Sequence, residues 1–270
     1  MKFSMSEAWR DATAMMSANR EVLLIVAGIF FFVPGVAMGL AMGDVQQIML
    51  ADPENAQEMV LSFYADWGWL LALGGIASVL GYLALLALLR DHNRPTVGEA
   101  IKIGLIGLLP AIGTYIVLVL GLGVVAAVLA MIAGVTGNAA VGLLVALAIV
   151  AVVVYVLVKV SLSGPVIAID KVYNPFKILA RSWRLTKGNS FRLCLFYALL
   201  VITYIVIAAV TSGIVAVLLV VVGESVATTV SAIISAAISA IAYLVFVAVL
   251  AAVHRQLSGP SPAAVSATFE

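Results

Sequence analysis

The sequence predicts an all-α integral membrane protein: six transmembrane helices in three hairpins, each hairpin preceded by a cytoplasmic amphipathic helix lying at the interface. Three observations predict it. Of 270 residues, 64% are hydrophobic and only 10% charged, where soluble domains carry roughly 25% charged residues. Mean hydropathy is +1.22, so most of the surface must face lipid rather than water. The charges that remain are sorted by side. All fourteen Lys and Arg residues, with seven acids, fall between alternate pairs of apolar stretches, and the other six acids fall in the remaining gaps without a cation.

The elements follow in order. Ser4-x-x-Glu7 is a capping-box pattern, and it opens an amphipathic helix over 4–17 with Met5, Trp9, Ala12 and Met16 on one face and Glu7, Arg10 and Asp11 opposite. The apolar run 22–42 is too long for the hydrophobic region of a secretory signal, and its leader reads as a structured helix. It is therefore expected to be a span and not a cleaved peptide.

A crossing needs about 20 apolar residues. Spans are expected near 22–43, 67–89, 108–133, 139–158, 193–222 and 226–253. The uncharged stretch 103–158 is too long for one crossing and breaks at Gly134-Val135-Thr136-Gly137-Asn138, a Gly/Asn turn signal. The last two spans form a tight hairpin around Gly223-Glu224-Ser225.

On the acidic side, Asp52-Pro53-Glu54 reads as an N-cap, an N1 proline and a first-turn acid. The helix it starts carries Met59, Val60, Phe63 and Tyr64 into Trp67 and Trp69, an aromatic belt suited to an interface. The segment from Pro95 to Lys102 is expected to be the second surface helix. The third, a basic one over 174–188, places Phe176, Leu179, Ala180 and Trp183 on one stripe and Lys177, Arg181 and Arg184 on another, and ends at Gly188. Residues 256–270 read as a flexible tail. The whole chain, 1–270, is one polytopic domain, and the positive-inside rule puts both termini in the cytoplasm.

The stretch Pro165-Val-Ile-Ala-Ile-Asp170, followed by Asn174-Pro-Phe-Lys-Ile-Leu-Ala-Arg-Ser-Trp-Arg-Leu-Thr-Lys-Gly-Asn189, resembles the segment before a late hairpin in the YciC-like bacterial inner-membrane proteins. These are in turn similar to the membrane domain of some glycerophosphoryl diester phosphodiesterases. The core from Arg181 to Asn189 carries most of the likeness. The resemblance implies a bacterial inner-membrane protein concerned with lipid or envelope upkeep. The phosphodiesterase catalytic domain is absent, so its activity is not carried over.

No span interior contains an acid, a base or a histidine. His92 and His254 fall at span ends and read as interfacial residues. A serine without a base is not a nucleophilic site, and metal-assisted hydrolysis needs clustered ligands. No enzyme activity, catalytic residue, metal or cofactor is expected. One cysteine, Cys194, excludes an intramolecular disulfide.

Two groups of residues remain as candidates. Lys177, Arg181 and Arg184, at i, i+4 and i+7, together with Trp183 and Lys187, are suited to phosphate oxygens, for which arginine offers a bidentate fork. The alternative is that they mark topology and anchor the helix. Thr228, Ser231, Ser235 and Ser239 form a small, mildly polar stripe in the sixth span, for helix packing or for a substrate pathway. The expected partners are membrane lipids, anionic phospholipids foremost, and no nucleic acid. A homo-oligomer or a membrane-protein partner is left open. The function expected is a non-enzymatic, lipid-interacting protein that supports membrane or envelope organisation; the alternative is a carrier or channel for an apolar or lipid-like substrate.

Overall fold

The computed structural model describes residues 2–41, 56–89, 95–219 and 224–259. Its regular structure is helical throughout these residues: α1 (Met5–Ala18), α2 (Arg20–Ala41), α3 (Ala56–Leu88), α4 (Val97–Thr136), α5 (Ala139–Val160), α6 (Ser163–Ala168), α7 (Pro175–Leu185), α8 (Ser190–Leu219) and α9 (Glu224–Ser258). Six are long and apolar enough to cross a membrane: α2, α3, α4, α5 with its continuation into α6, α8 and α9. The chain is a multi-pass membrane protein.

Local chemistry sets the boundaries. Ser4 caps α1 by accepting the Glu7 N–H. The Glu7 carboxylate does not close the expected box, because it accepts instead from Gln256 Nε2 at 3.0 Å. In α2 a π-helical turn spans Gly28–Phe32. It lies just before Pro34, whose missing N–H and ring disturb the preceding turn of an α-helix. Gly137, at φ 59°, ends α4, and the Asn138 side chain accepts the Ala140 N–H to start α5.

Two expectations are corrected here. The segment from Pro95 to Lys102 is not a separate surface helix. Thr96 and Glu99 form a reciprocal capping box, and α4 then runs unbroken for 40 residues, about 60 Å at the usual rise. Gly104 and Gly107 are contact points within it: a Cβ at Gly104 would lie 2.9 Å from the Leu80 carbonyl oxygen. The expected threefold repeat therefore lacks a separate short helix ahead of α4, while α1 and α7 are separate helices. Residues 256–258 are also no tail, since α9 continues through Ser258. The expected cap at Asp52-Pro53-Glu54, the turn at Gly223 and His92 lie outside the described residues.

Each span packs on the next in chain order, α2 on α3, α3 on α4, α4 on α5, α5 on α8 and α8 on α9. Helix α9 returns to α2 and α3 and closes the ring. The short α6 packs on α3, α4 and α9. Gly164, Pro165, Val166, Ile167 and Ala168 are all buried, so α6 is an internal plug. A Cβ on Gly164 would run into the Tyr82 ring.

Burial is concentrated at this plugged end, in Leu83 to Leu89 of α3 and just beyond, Val158 to Ala168, and Val247 to His254 of α9. Helix α1 lies against α9 there. It buries Ala8 and Ala12 completely, while Trp9 is 44% exposed. Of the expected face, Ala12 is buried and Met5 and Met16 pack against the core, with Ala8 beside them, and only Trp9 turns outward. Arg255 ties α1 down through Asp11 at 2.6 Å.

Candidate functional site

The plugged end gathers Lys159, the whole of α7, the start of α8 and the end of α9. Asn174 caps α7 by accepting the Phe176 and Lys177 N–H groups, and Pro175 takes the first helical position, where its missing N–H costs nothing. The buried face of α7 is not the expected aromatic stripe. Ile178 and Ser182 are fully buried, whereas Phe176 is 69% exposed. Ser182 Oγ donates to the Lys159 carbonyl at 2.8 Å and accepts the Leu162 N–H at 3.2 Å. Thr186 Oγ1 donates to the same carbonyl at 3.3 Å. These hydroxyls satisfy the backbone left open where α5 ends and α6 begins, and they lock α7 to that junction.

Outside this buried face, Arg181, Arg184 and Lys187 join Leu185, Asn189 and Leu257 around an open pocket of about 350 Å³. The structure thus brings together three of the five residues expected to meet a headgroup. Lys177 is exposed away from the pocket lining. Trp183 turns to the opposite seam, edge-on to Tyr155 with ring centroids 5.8 Å apart. Asn189 is fixed as well as lining the pocket: its Oδ1 accepts the Phe3 N–H at 2.9 Å.

Behind the pocket stands an ionic cluster that sequence reasoning missed. Arg181 Nε donates to Asp170 Oδ2, and His254 Nε2 lies 3.2 Å from the same oxygen. His254 is 3% exposed, so it is a core residue and not the interfacial one expected. Burial pushes the Asp170 carboxyl up, but the hydrogen bonds and charges of His254 and Arg181 more than offset this and hold it below its ordinary value. Asp170 largely neutralises Arg181, and no ion pair joins Arg184 or Lys187 to a described carboxylate. The free positive charge of the pocket is therefore theirs. One signal was present in the sequence: Asp170 is the single acid among the seven cations from Lys159 to Arg192.

Lys159 is the other missed residue. It is 4% exposed, and its ammonium lies 5.6 Å from the Tyr155 ring centre and 5.4 Å from that of Trp183. Two such contacts return roughly 1–4 kcal/mol, against a burial cost of several kcal/mol for an ion. The i, i+4 spacing of Tyr155 and Lys159 was the available clue; the third member, Trp183, comes from α7.

The stripe in α9 divides. Ser235 and Ser239 line a groove of about 450 Å³ between α2, α3 and α9, with Met38, Leu71, Ser78 and Tyr243 among its walls. Ser239 also shares a 3.2 Å hydrogen bond with the Tyr204 hydroxyl. Thr228 and Ser231 do not line the groove. Helix packing falls to the residues between them: a Cβ on Gly35 or Gly39 would come within 3.3 Å and 3.1 Å of Ala236 and Ala232. Among the described residues no three His, Cys, Asp or Glu side chains are grouped to hold a metal ion.

No family model matches the chain, and neither a curated protein nor a solved structure is significantly similar to it.

Proposed function

We propose that this chain is a non-enzymatic protein of a bacterial cytoplasmic membrane that binds anionic phospholipid at its basic end and supports membrane or envelope organisation. The observation that carries the reading is the open pocket of Arg181, Arg184 and Lys187. It stands at the end of the bundle where the sequence concentrates its cations, and a cation beside an anionic leaflet contributes about 1 kcal/mol. By the positive-inside rule that end is cytoplasmic, with both termini there. The spans are read as three hairpins, α2–α3, α4–α5 and α8–α9, with α1 and α7 as interfacial helices beneath them. The likeness of residues 181–189 to YciC-like proteins supports the bacterial inner membrane. Residues 22–43, 67–89, 108–133, 139–158, 193–222 and 226–253 hold no acid, base or histidine, which supports a role other than catalysis.

Native mass spectrometry of the purified chain tests this. Phosphatidylglycerol or cardiolipin should be retained in preference to phosphatidylethanolamine, and the Arg184→Gln/Lys187→Gln variant should lose the preference. Retention indifferent to headgroup charge would refute the reading.

The groove with Ser235 and Ser239 favours a second reading, a carrier for an apolar or lipid-like substrate. Labelled phospholipid in proteoliposomes separates the two. Exchange between leaflets that Ser235→Leu blocks would put the carrier first.

A further inference from the structure

We propose a second anion site on α7, distinct from the pocket, in which Lys159, Tyr155 and Trp183 hold the phosphate of a single phospholipid at the seam between α5 and α7. The proposal rests on the reading that this end of the bundle faces a headgroup layer, but not on the pocket being occupied.

Lys159 is 4% exposed and has no carboxylate partner among the described residues, and its ammonium nitrogen is not sealed from the outside. None of the ion pairs among the described residues includes it, and its ammonium lies over two ring faces. A ring face attracts the charge but leaves the three N–H donors of an ammonium without a strong acceptor. The cage is built rather than incidental. Ser182 and Thr186 both bond the Lys159 carbonyl, which fixes α7 against the end of α5 and sets Trp183 beside Tyr155. The cage also opens outward: Tyr155 is 50% exposed and Trp183 40%, although Lys159 between them is 4% exposed. A ligand must therefore reach the ammonium along the outer surface of the bundle, at the depth where α5 ends. A phosphodiester there supplies the missing acceptors, and its acyl chains follow the apolar flank of α5, where Leu147, Val150 and Val154 are exposed. Free phosphate would gain the charge contact without that flank, which is the reason for committing to lipid.

Trp183 is the reporter. Replacing Trp9, Trp67 and Trp69 by Phe leaves it as the sole tryptophan of the full chain. In detergent, phosphatidylglycerol brominated near the glycerol should quench its emission at about fivefold lower mole fraction than the matching phosphatidylcholine, the discrimination one headgroup-level cation supplies. Lys159→Gln should abolish the preference and Lys159→Arg should keep it, with thermal melting of both showing folded protein. Arg184→Gln/Lys187→Gln should leave it unchanged, so failure of the pocket and failure of this site are told apart. Equal quenching by both lipids, or a preference that survives in Lys159→Gln, would overturn the proposal and leave Lys159 as an anchor. Displacement of the lipid by millimolar inorganic phosphate would overturn its lipid specificity.

Discussion

At the plugged end of the bundle, Leu83 to Leu89 and Val247 to His254 are buried without interruption. At the far end, no residue whose burial is described is buried in α4 beyond Thr114, α5 before Val158 or α8 beyond Phe196. The little-buried helices α4 and α5 are the more apolar, with mean hydropathies of 3.0 and 3.2 against 2.2 for α3 and 2.6 for α9, so hydrophobicity does not explain the contrast. In lipid it should not, because apolar side chains gain little by leaving acyl chains for one another. What differs is the means of attachment. The plugged end has glycines that admit a neighbour, and side chains that reach across elements: Ser182 to the Lys159 carbonyl, Asp170 to Arg181 and His254, Asn189 to Phe3, Gln256 to Ser4 and Glu7. The far halves of α4, α5 and α8 are mostly Val, Leu, Ile and Ala, their glycines Gly121, Gly123, Gly134, Gly142 and Gly213 meet no neighbour within 4 Å, and the link there runs from Tyr204 to Ser239.

The contrast is sharpest for glycine. Gly81→Ala would drive a Cβ into Phe30 at its own Cβ, which rotation cannot relieve, and Gly164→Ala would displace Tyr82. Each should cost about 3 kcal/mol, the upper end of overpacking. Gly142→Ala and Gly213→Ala meet nothing within 4 Å, and should change stability by less than about 0.5 kcal/mol. Reversible unfolding in mixed micelles measures all four. Equal effects at the two ends would break the comparison.

The ionic cluster comes next. Asp170→Asn should cost about 2–3 kcal/mol, the range for hydrogen bonds to charged groups, limited because Arg181 is 39% exposed and turns to water. The pH dependence has a definite sign. The folded carboxyl ionises below its ordinary value, so below about pH 4 the unfolded chain binds the proton more readily and stability falls with acid. The variant should show a flatter acid limb in its melting temperature between about pH 5 and pH 3. An unchanged limb would remove Asp170 from the account.

The smallest of the three concerns the N-terminal strap. Asn189→Ala leaves the buried Phe3 N–H without its acceptor, at about 1–2 kcal/mol. Amide exchange at Phe3 should accelerate before global stability changes, and a protected amide there would show that the strap is held by other means.

The membrane class, the number of spans and the break at Gly137 were legible because length, hydropathy and turn chemistry are local properties. The basic pocket was half legible. The spacing of Arg181 and Arg184 was visible, but the rotation of α7 is set by Ser182 and Thr186, whose partner carbonyl at Lys159 lies 23 residues or more away. Reading the aromatic stripe as the helix's defining face therefore left Trp183 with the headgroup cations, and Lys177 with the pocket. The continuity of α4 was obscured because Pro95-Thr96 looked like the start of a short helix, while Thr96 and Glu99 begin the long one. Asp170 with His254, and Lys159 with Trp183, join elements far apart in the chain, and no pattern in either segment announces its partner.

The central claim is that Arg181, Arg184 and Lys187 form a site for anionic headgroups and do more than mark the inner side. Thermal unfolding of the purified chain with increasing phosphatidylglycerol tests it most directly. Ligand linkage gives a gain of about 2.7 kcal/mol at a hundredfold excess over Kd. The account predicts that wild type is stabilised on that scale by phosphatidylglycerol and not by phosphatidylcholine, and that changing all three cations to glutamine removes most of the difference. Equal stabilisation of wild type and triple variant would contradict it.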